Sequence, residues 1–318
     1  MKGMDLTTKN NVHVSDYKPK KNVWQVLGNS PVPWLLPLAV VLLFVFLYPI
    51  LEVVRLSFTD AQLSGGDYSY TLRSYITLFT LPGFFSMLVI TFIFVSLSVF
   101  FQMSFGFIIA LLVDIGTKRK LVGTVVARTT VLMAWAIPGV VIGIIWTLLY
   151  NESQAGILNY ILGFFGIKSI AFLSDPINAL LSVTVANIWR GTAFSMILLY
   201  AGLQTFPNDV LEAAKIDGAN AWQRLTKVIL PILMPIICIN LILASVSTFN
   251  TFDMVTALTA GGPGRATEVI ALNVYNTIFM EDALGRGAAT AVVLLAINGV
   301  MTIVYFRMLS RSEGGKLG

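Results

Sequence analysis

The stretch from Ser86 to Val113 reads SMLVITFIFVSLSVFFQMSFGFIIALLV and carries no charged residue. A helix of about 20 apolar residues crosses the ~30 Å hydrocarbon core of a bilayer. A helix also satisfies its own backbone hydrogen bonds in lipid, and the alternating pattern of the other solution, a closed barrel, is missing here. The stretch therefore predicts a transmembrane helix.

The rest of the chain shares this character. Of its 318 residues 56% are hydrophobic and 12% are charged, and the mean hydropathy is +0.81. A soluble domain of this size has about a quarter of its residues charged. We therefore predict an all-α integral membrane protein of six transmembrane helices. The predicted spans are 33–57, 86–113, 125–150, 178–204, 229–254 and 287–309, with Pro37, Pro49, Pro138 and Pro235 inside them or at their edges.

Basic residues are concentrated in four segments: the N-terminal tail, the second-to-third connection, the fourth-to-fifth connection and the C-terminal end. Cytoplasmic loops carry the excess of lysine and arginine, so both termini are expected in the cytoplasm. This divides the chain into a basic cytoplasmic tail (1–30), a six-helix domain (31–310) and a short cytoplasmic C-terminal tail (311–318). The net charge of +5 is spread along the chain instead of forming one patch, which argues against nucleic-acid binding.

The sequence offers no catalytic constellation. The only histidine, His13, lies in the polar tail, and the only cysteine, Cys238, lies in a span, so neither a metal cluster nor a histidine-based triad can form. The run Gly261–Thr267 lacks the Gly-Lys-Ser/Thr ending of a phosphate loop and is expected to be a turn on the outer face. We expect no enzyme, no catalytic or metal site, and no cofactor held by this chain.

The connection from Pro207 to Pro235 reads PNDVLEAAKIDGANAWQRLTKVILPILMP. Its pattern predicts a helix capped by Asn208 or Asp209, a break at Gly218, and a second helix that ends where Pro231 opens the fifth span. The small-residue face of the first helix would let another protein approach closely. The alternative is a plain amphipathic loop on the membrane surface.

This segment resembles the signature of the permease subunits of binding-protein-dependent ABC importers. The matching residues are Glu212-Ala213-Ala214, Gly218 and Val228-Ile229-Leu230-Pro231, where valine replaces the usual isoleucine. The resemblance implies a type I importer permease fold, whose last five spans form the shared core while the first wraps its partner. It also implies an ATPase-coupling helix at about 207–231. The expected coupling residues are Glu212, Ala213, Ala214, Asp217 and Gly218.

A looser resemblance to the carbohydrate-importing branch of the family covers residues 30–310. It rests on Ile188-Trp189, Ala201–Gln204, Asp217–Ala219, Phe252-Asp253 and Thr259–Pro263 with Thr267. It implies residence in a prokaryotic cytoplasmic membrane and contact with lipid. The implied partners are a second permease, two ATPase subunits that bind ATP and Mg, and an extracytoplasmic solute-binding protein.

Polar side chains within spans are costly and usually face the bundle interior, so they are candidates for the solute path. We select Asn250, Asp253, Arg190, Tyr200, Ser195 and Asn187. Interhelical hydrogen bonding is the competing interpretation. Arg190 can face a watery cavity, pair with Asp253 or contact an anionic solute. In some members of the family only one permease of the pair contacts solute, and this chain can be the other.

Other classes remain open at this point. The solute can be a non-sugar such as glycerol phosphate. An ion-coupled secondary transporter would show embedded carboxylates and inverted repeats, and neither is evident. A membrane enzyme and an exporter permease are the remaining alternatives.

Overall fold

A computed structural model describes residues 32–153 and 156–314, which are mainly helical. The predicted tail 1–30 and the last four residues lie outside the described residues. The final helix continues to Gly314, so it includes the first part of the predicted C-terminal tail. The helices are α1 (Val32–Val41), α2 (Tyr48–Ser57), α3 (Arg73–Thr80), α4 (Phe84–Lys118), α5 (Thr124–Ala136), α6 (Gly139–Leu149), α7 (Ile157–Phe164), α8 (Pro176–Gln204), α9 (Asn208–Ile216), α10 (Ala221–Arg224), α11 (Leu230–Phe249), α12 (Asp253–Thr259), α13 (Ile270–Phe279) and α14 (Leu284–Gly314).

Two π-helical segments interrupt this order, Leu42–Leu47 between α1 and α2 and Leu225–Ile229 between α10 and α11. Each ends two residues before a proline, Pro49 or Pro231. Proline has no N–H for the carbonyl four residues earlier, and its ring crowds that carbonyl. A locally widened turn lets the helix continue past the proline.

Four helical stretches are long and apolar enough to cross a membrane: Trp34–Ser57, Phe84–Lys118, Ala221–Phe249 and Leu284–Met308. They correspond to the first, second, fifth and sixth predicted spans. The predicted fourth span is α8, a helix of 29 residues whose many polar side chains keep it out of this apolar set. The count of six spans stays a prediction.

The third predicted span is not one straight helix. It consists of α5 and α6, which are bent by 103° relative to each other. The bend is at Ile137, which is extended at φ −76° and ψ 131°, and at Pro138, which directly precedes α6. A residue before proline disfavours the helical region, so the break follows from the sequence Ile-Pro.

The chain forms two compact units, with the boundary between Glu52 and Val53. In the first unit, the side chains from Trp34 to Leu51 are all exposed. In the second, α4 and α8 form the centre of the bundle. One apolar cluster includes Phe94, Ile142, Val183, Phe249 and Met254. The other lies toward the connection 207–231, called the coupling loop from here on, and includes Ala110, Met196, Leu199 and Leu233.

Candidate solute path and coupling loop

A cavity of about 250 Å³ lies among α4, α5, α8 and α11 in the second unit. Both polar and apolar groups line it. The lining residues are Gln102, Trp135, Asn187, Arg190, Gly191, Phe194, Leu243, Ala244, Ser247, Thr248 and Thr251.

Asn187 is the most informative of these residues. It is 4% exposed, and its Nδ2 has no hydrogen-bond partner among the described residues. Its backbone carbonyl accepts a hydrogen bond from Nε2 of Gln102 at 3.1 Å. A buried amide donor without a partner is costly unless a ligand or water satisfies it. Asn187 thus lines the cavity and carries an amide donor that no described residue of the chain uses.

Gly191 makes room for the polar wall. A Cβ atom there would lie 2.2 Å from Cδ of Gln102, so any side chain would displace that amide. The absence of a side chain on α8 lets Gln102 of α4 reach across to the carbonyl of Asn187. A hydrogen bond from the side-chain amide of Gln102 to the backbone carbonyl of Asn187 thus joins the two helices.

Two aromatic rings form part of the apolar side of the lining. The rings of Trp135 and Phe194 lie 5.8 Å apart at an interplanar angle of 37°. Sugars present hydroxyl donors and acceptors together with an apolar ring face, which amides and aromatic rings can match. The cavity combines both kinds of surface.

Arg190 lines the cavity and pairs with Asp253, with 3.8 Å between Nη1 and Oδ1. The arginine side chain is 28% exposed and the aspartate side chain 33%. Asp253 opens α12 and lies against the first residue of α6, where a Cβ on Gly139 would be 1.9 Å from Oδ2. Of the alternatives for Arg190, both the cavity position and the pair with Asp253 are present.

The other predicted path residues do not line this cavity. Ser195 Oγ donates to Asn240 Oδ1 at 3.4 Å, which is the interhelical bond of the competing interpretation. Tyr200 has its hydroxyl 3.4 Å from Thr117 Oγ1. Asn250 is exposed and donates to the carbonyl of Val246 on its own helix. A role for these three in the solute path stays a prediction.

Sequence reasoning missed Gln102, Trp135 and Phe194. Gln102 had a signal, because it is the only amide in an otherwise apolar span. The two aromatic residues had none, since the chain contains 6 Trp and 21 Phe and most lie in spans. Only the packing of α5 on α8 distinguishes them.

The segment after α8 folds as a helix, a glycine turn and a second helix, as predicted. α9 ends at Ile216, and Gly218 adopts φ +77°, the left-handed conformation that suits glycine at a helix end. Glu212, Ala213 and Asp217 are exposed and Ala214 is half-buried. Among the described residues, Glu212 has no hydrogen bond or ion pair within the chain. Its carboxylate is available to a partner.

Two local predictions for this segment were wrong. Pro207, without a side-chain hydrogen bond, is the N-cap of α9, because the helix already includes Asn208 and Asp209. The second helix does not end before Pro231 but runs unbroken from Ala221 to Phe249 through the π-helical turn. Its start is fixed by Asn220 and Gln223, whose side chains and backbone amides bond reciprocally at 2.8 and 2.9 Å.

The glycine-rich run is a turn between α12 and α13, as predicted. Thr267 closes it, with its Oγ1 donating to the carbonyl of Gly262 at 2.8 Å and lying 2.7 Å from Thr259 Oγ1. Across residues 32–153 and 156–314, no group of three histidine, cysteine, aspartate or glutamate side chains is arranged to hold a metal ion.

Comparison with known proteins gives consistent matches. The chain is 33% identical to a trehalose/maltose transport system permease protein of Thermococcus litoralis, over 86% of this chain and 91% of the relative. It is 30% identical to a sulfoquinovosyl glycerol transport system permease protein of Agrobacterium fabrum, over 93% and 96%. It is also 30% identical to an sn-glycerol-3-phosphate transport system permease protein of the same organism, over 90% and 97%.

The fold matches a chain from the crystal structure of a bacterial ABC transporter involved in alginate import, with a TM-score of 0.76 at 20% identity, covering 91% of this chain and 98% of the other. The family model described as binding-protein-dependent transport system inner membrane component matches residues 102–312. That range includes the cavity side chains, residues 207–231 and the glycine-rich turn Gly261–Thr267. The resemblance drawn from Glu212, Gly218 and Pro231 is confirmed: the chain is a multi-pass membrane protein that belongs to the family of binding-protein-dependent transport system inner membrane components.

Proposed function

We propose that this chain is one permease subunit of an ATP-driven importer and forms half of the translocation path for a sugar or oligosaccharide. The observation that carries the proposal is the cavity lined by polar and aromatic side chains, among them Asn187, Arg190, Trp135 and Phe194. An extracytoplasmic solute-binding protein would deliver the solute, and a protein of that kind is present in the solved complex of the alginate transporter.

The coupling loop supports the ATP-driven part of the proposal. The segment exposes the carboxylate of Glu212 and the apolar side chains of Ile216 and Trp222, a combination suited to docking in a cleft of another protein. ATP and Mg would be bound by two separate ATPase subunits, with this loop on the cytoplasmic side together with both termini. A second permease would complete the path, and the exposed apolar surface of Trp34–Leu51 supports its presence.

Charge in the cavity favours a neutral sugar over an anionic solute. Arg190 is the cation of the lining, and Asp253 is close enough to compensate it. Relatives whose names specify anionic solutes, such as glycerol phosphate, make the anion the second candidate, for which Arg190 would have to leave Asp253. The trehalose/maltose relative makes a neutral disaccharide the first candidate.

The test is uptake of labelled trehalose by proteoliposomes that contain the assembled transporter and its binding protein. We expect uptake to require ATP and to survive collapse of the proton gradient. Asn187→Ala should lower the apparent affinity about 5- to 13-fold, the effect of losing one hydrogen bond of about 1–1.5 kcal/mol. Asn151→Ala removes an exposed amide outside the cavity lining and should leave the apparent affinity unchanged. Uptake that collapses with the proton gradient and persists without ATP would contradict the proposal.

A further inference from the structure

A second cavity, of about 450 Å³, lies at the end of the bundle opposite the coupling loop. We call it the outer cup. It is formed by the end of α3, the turn between α12 and α13, α13 itself and the start of α14. The lining residues are Leu78, Leu81, Ala260, Gly261, Gly262, Arg265, Glu268, Asn273, Asn276, Thr277, Glu281 and Arg286.

The charges of the outer cup are paired within the chain. Arg265 forms an ion pair with Glu268, and Arg286 forms one with Glu281. Glu268 is only 7% exposed and also accepts a hydrogen bond from Asn273 Nδ2 at 2.8 Å. Two cations and two anions cancel, so the cup has no net charge to attract an ionic ligand. It retains many directional donors and acceptors.

The uncharged groups add to this inventory. Asn276 is half-buried, and its amide provides two donors and an acceptor. Guanidinium, carboxylate and amide groups are planar and can each bond two neighbouring hydroxyls of a polyol. Among the described residues that line the cup none is aromatic, so no ring can stack on a sugar face. The chemistry fits a neutral, hydroxyl-rich ligand held weakly.

The outer cup adjoins a neighbouring cavity of about 290 Å³, and Glu281 and Arg286 line both. The far wall of that cavity is built rigidly. Asp282 accepts hydrogen bonds from the backbone N–H and the hydroxyl of Ser64 at 2.8 and 2.6 Å. These bonds lower the pKa of Asp282, so the clamp keeps its charge at neutral pH.

We propose that the outer cup is a second saccharide site, separate from the cavity at Asn187, that binds one uncharged sugar unit with low affinity. The proposal rests on the proposed function in two respects: that the solute is a sugar, and that the cup faces the extracytoplasmic side. It goes beyond that function by placing a contact outside the transmembrane cavity, where solute leaving the binding protein would arrive first.

The test measures protection of a cysteine at the rim. In the assembled transporter without its binding protein, Cys238→Ser removes the native thiol and Leu81→Cys places a reporter on the lining, where the leucine is 40% exposed. Trehalose should slow maleimide labelling of Leu81→Cys by the factor 1 + [L]/Kd, about 11-fold at ten times Kd. The matched reporter Leu72→Cys lies outside both cavities and should label at an unchanged rate. Adding Asn276→Ala to the Leu81→Cys variant should weaken the protection.

Two results would overturn the proposal: no protection of Leu81→Cys up to the solubility limit of trehalose, or equal slowing at Leu72→Cys. The assay needs no ATP and no transport, so its failure leaves the uptake test of the proposed function untouched.

Discussion

At the residue scale, the contact between α4 and α8 depends on small side chains. A Cβ on Gly106 would lie 2.6 Å from Cβ of Ser195 and 2.9 Å from the backbone nitrogen of Met196. Small residues let membrane helices approach closely, and packing is the main force that holds them together. Because a backbone atom cannot move aside as a flexible side chain can, α4 and α8 would have to separate to accept a larger residue.

We therefore predict that Gly106→Ala destabilises the protein by about 1–3 kcal/mol, the usual cost of overpacking a close contact. The apparent melting temperature in one detergent measures it. The matched control is Gly299→Ala on α14, where the new methyl group meets nothing within 4 Å. If Gly106→Ala and Gly299→Ala have the same apparent melting temperature, the contact between α4 and α8 is looser than described.

The pair of Arg190 and Asp253 provides a second prediction. At 3.8 Å and with both side chains about a third exposed, its energy should be modest, about 0.5–1 kcal/mol. Arg190→Gln and Asp253→Asn should each lower the melting temperature, and the double variant should lose less than the sum of the two. Strict additivity in this double-mutant cycle would show that the two groups do not interact.

Individual residues of the site could be predicted only in part. Asn187 and Arg190 stand out in the sequence because polar groups in a span are costly, and both line the cavity. The same rule selected Ser195 and Tyr200, whose polar atoms lie beside Asn240 and Thr117 instead. A polar group in a span needs a partner, but the sequence does not show whether that partner is protein or solute.

At the scale of elements, two short helices pack closely beside the cavity. α6 begins with Gly139 and carries Gly143 one turn later, and a Cβ on Gly143 would lie 2.6 Å from Cβ of Ala257 and 2.9 Å from the carbonyl of Met254 on α12. Glycines four residues apart form one smooth face on a helix. This face seats α12 and thereby places Asp253 beside Arg190.

Gly143→Leu should force α6 away from α12 and lower both stability and uptake, with a loss of about 1–3 kcal/mol in stability. Val140→Leu is the matched control, because Val140 is on the same helix and 48% exposed. The effect is measured by comparing the two variants in their change of melting temperature and in their uptake rate in proteoliposomes. Equal behaviour of the two variants would contradict the close packing of α6 on α12.

Most elements followed from the sequence, and the exceptions have physical causes. The apolar stretches become helices because lipid leaves the backbone no other partner. The bend at Pro138 replaces a straight third span, since hydropathy reports length and polarity but not direction. Pro231, by contrast, was expected to end a helix and does not. The π-helical turn of Leu225–Ile229 widens the helix just before the proline, so the helix continues although proline has no N–H to donate.

At the scale of the whole molecule, α8 and α11 each run from the cavity to the coupling loop. α8 carries Asn187 and Arg190 at mid-length and leads directly into α9, which presents Glu212. The helix Ala221–Phe249 returns from the same loop to the cavity residues Leu243–Thr248. On the proposed function, a movement of the coupling loop would reach the cavity walls along these two helices.

The most direct test of this account is purification of the chain from its native membrane in mild detergent, with mass spectrometry of the proteins that accompany it. We predict recovery of a second permease and an ATPase. The ATPase should be lost in Glu212→Lys, because the exposed carboxylate is expected to meet a basic residue of the ATPase and lysine would repel it. Asp209→Lys reverses another exposed charge on α9 and should retain the ATPase. A stable homo-oligomer without an ATPase, or equal retention of the ATPase in Glu212→Lys and Asp209→Lys, would contradict the account.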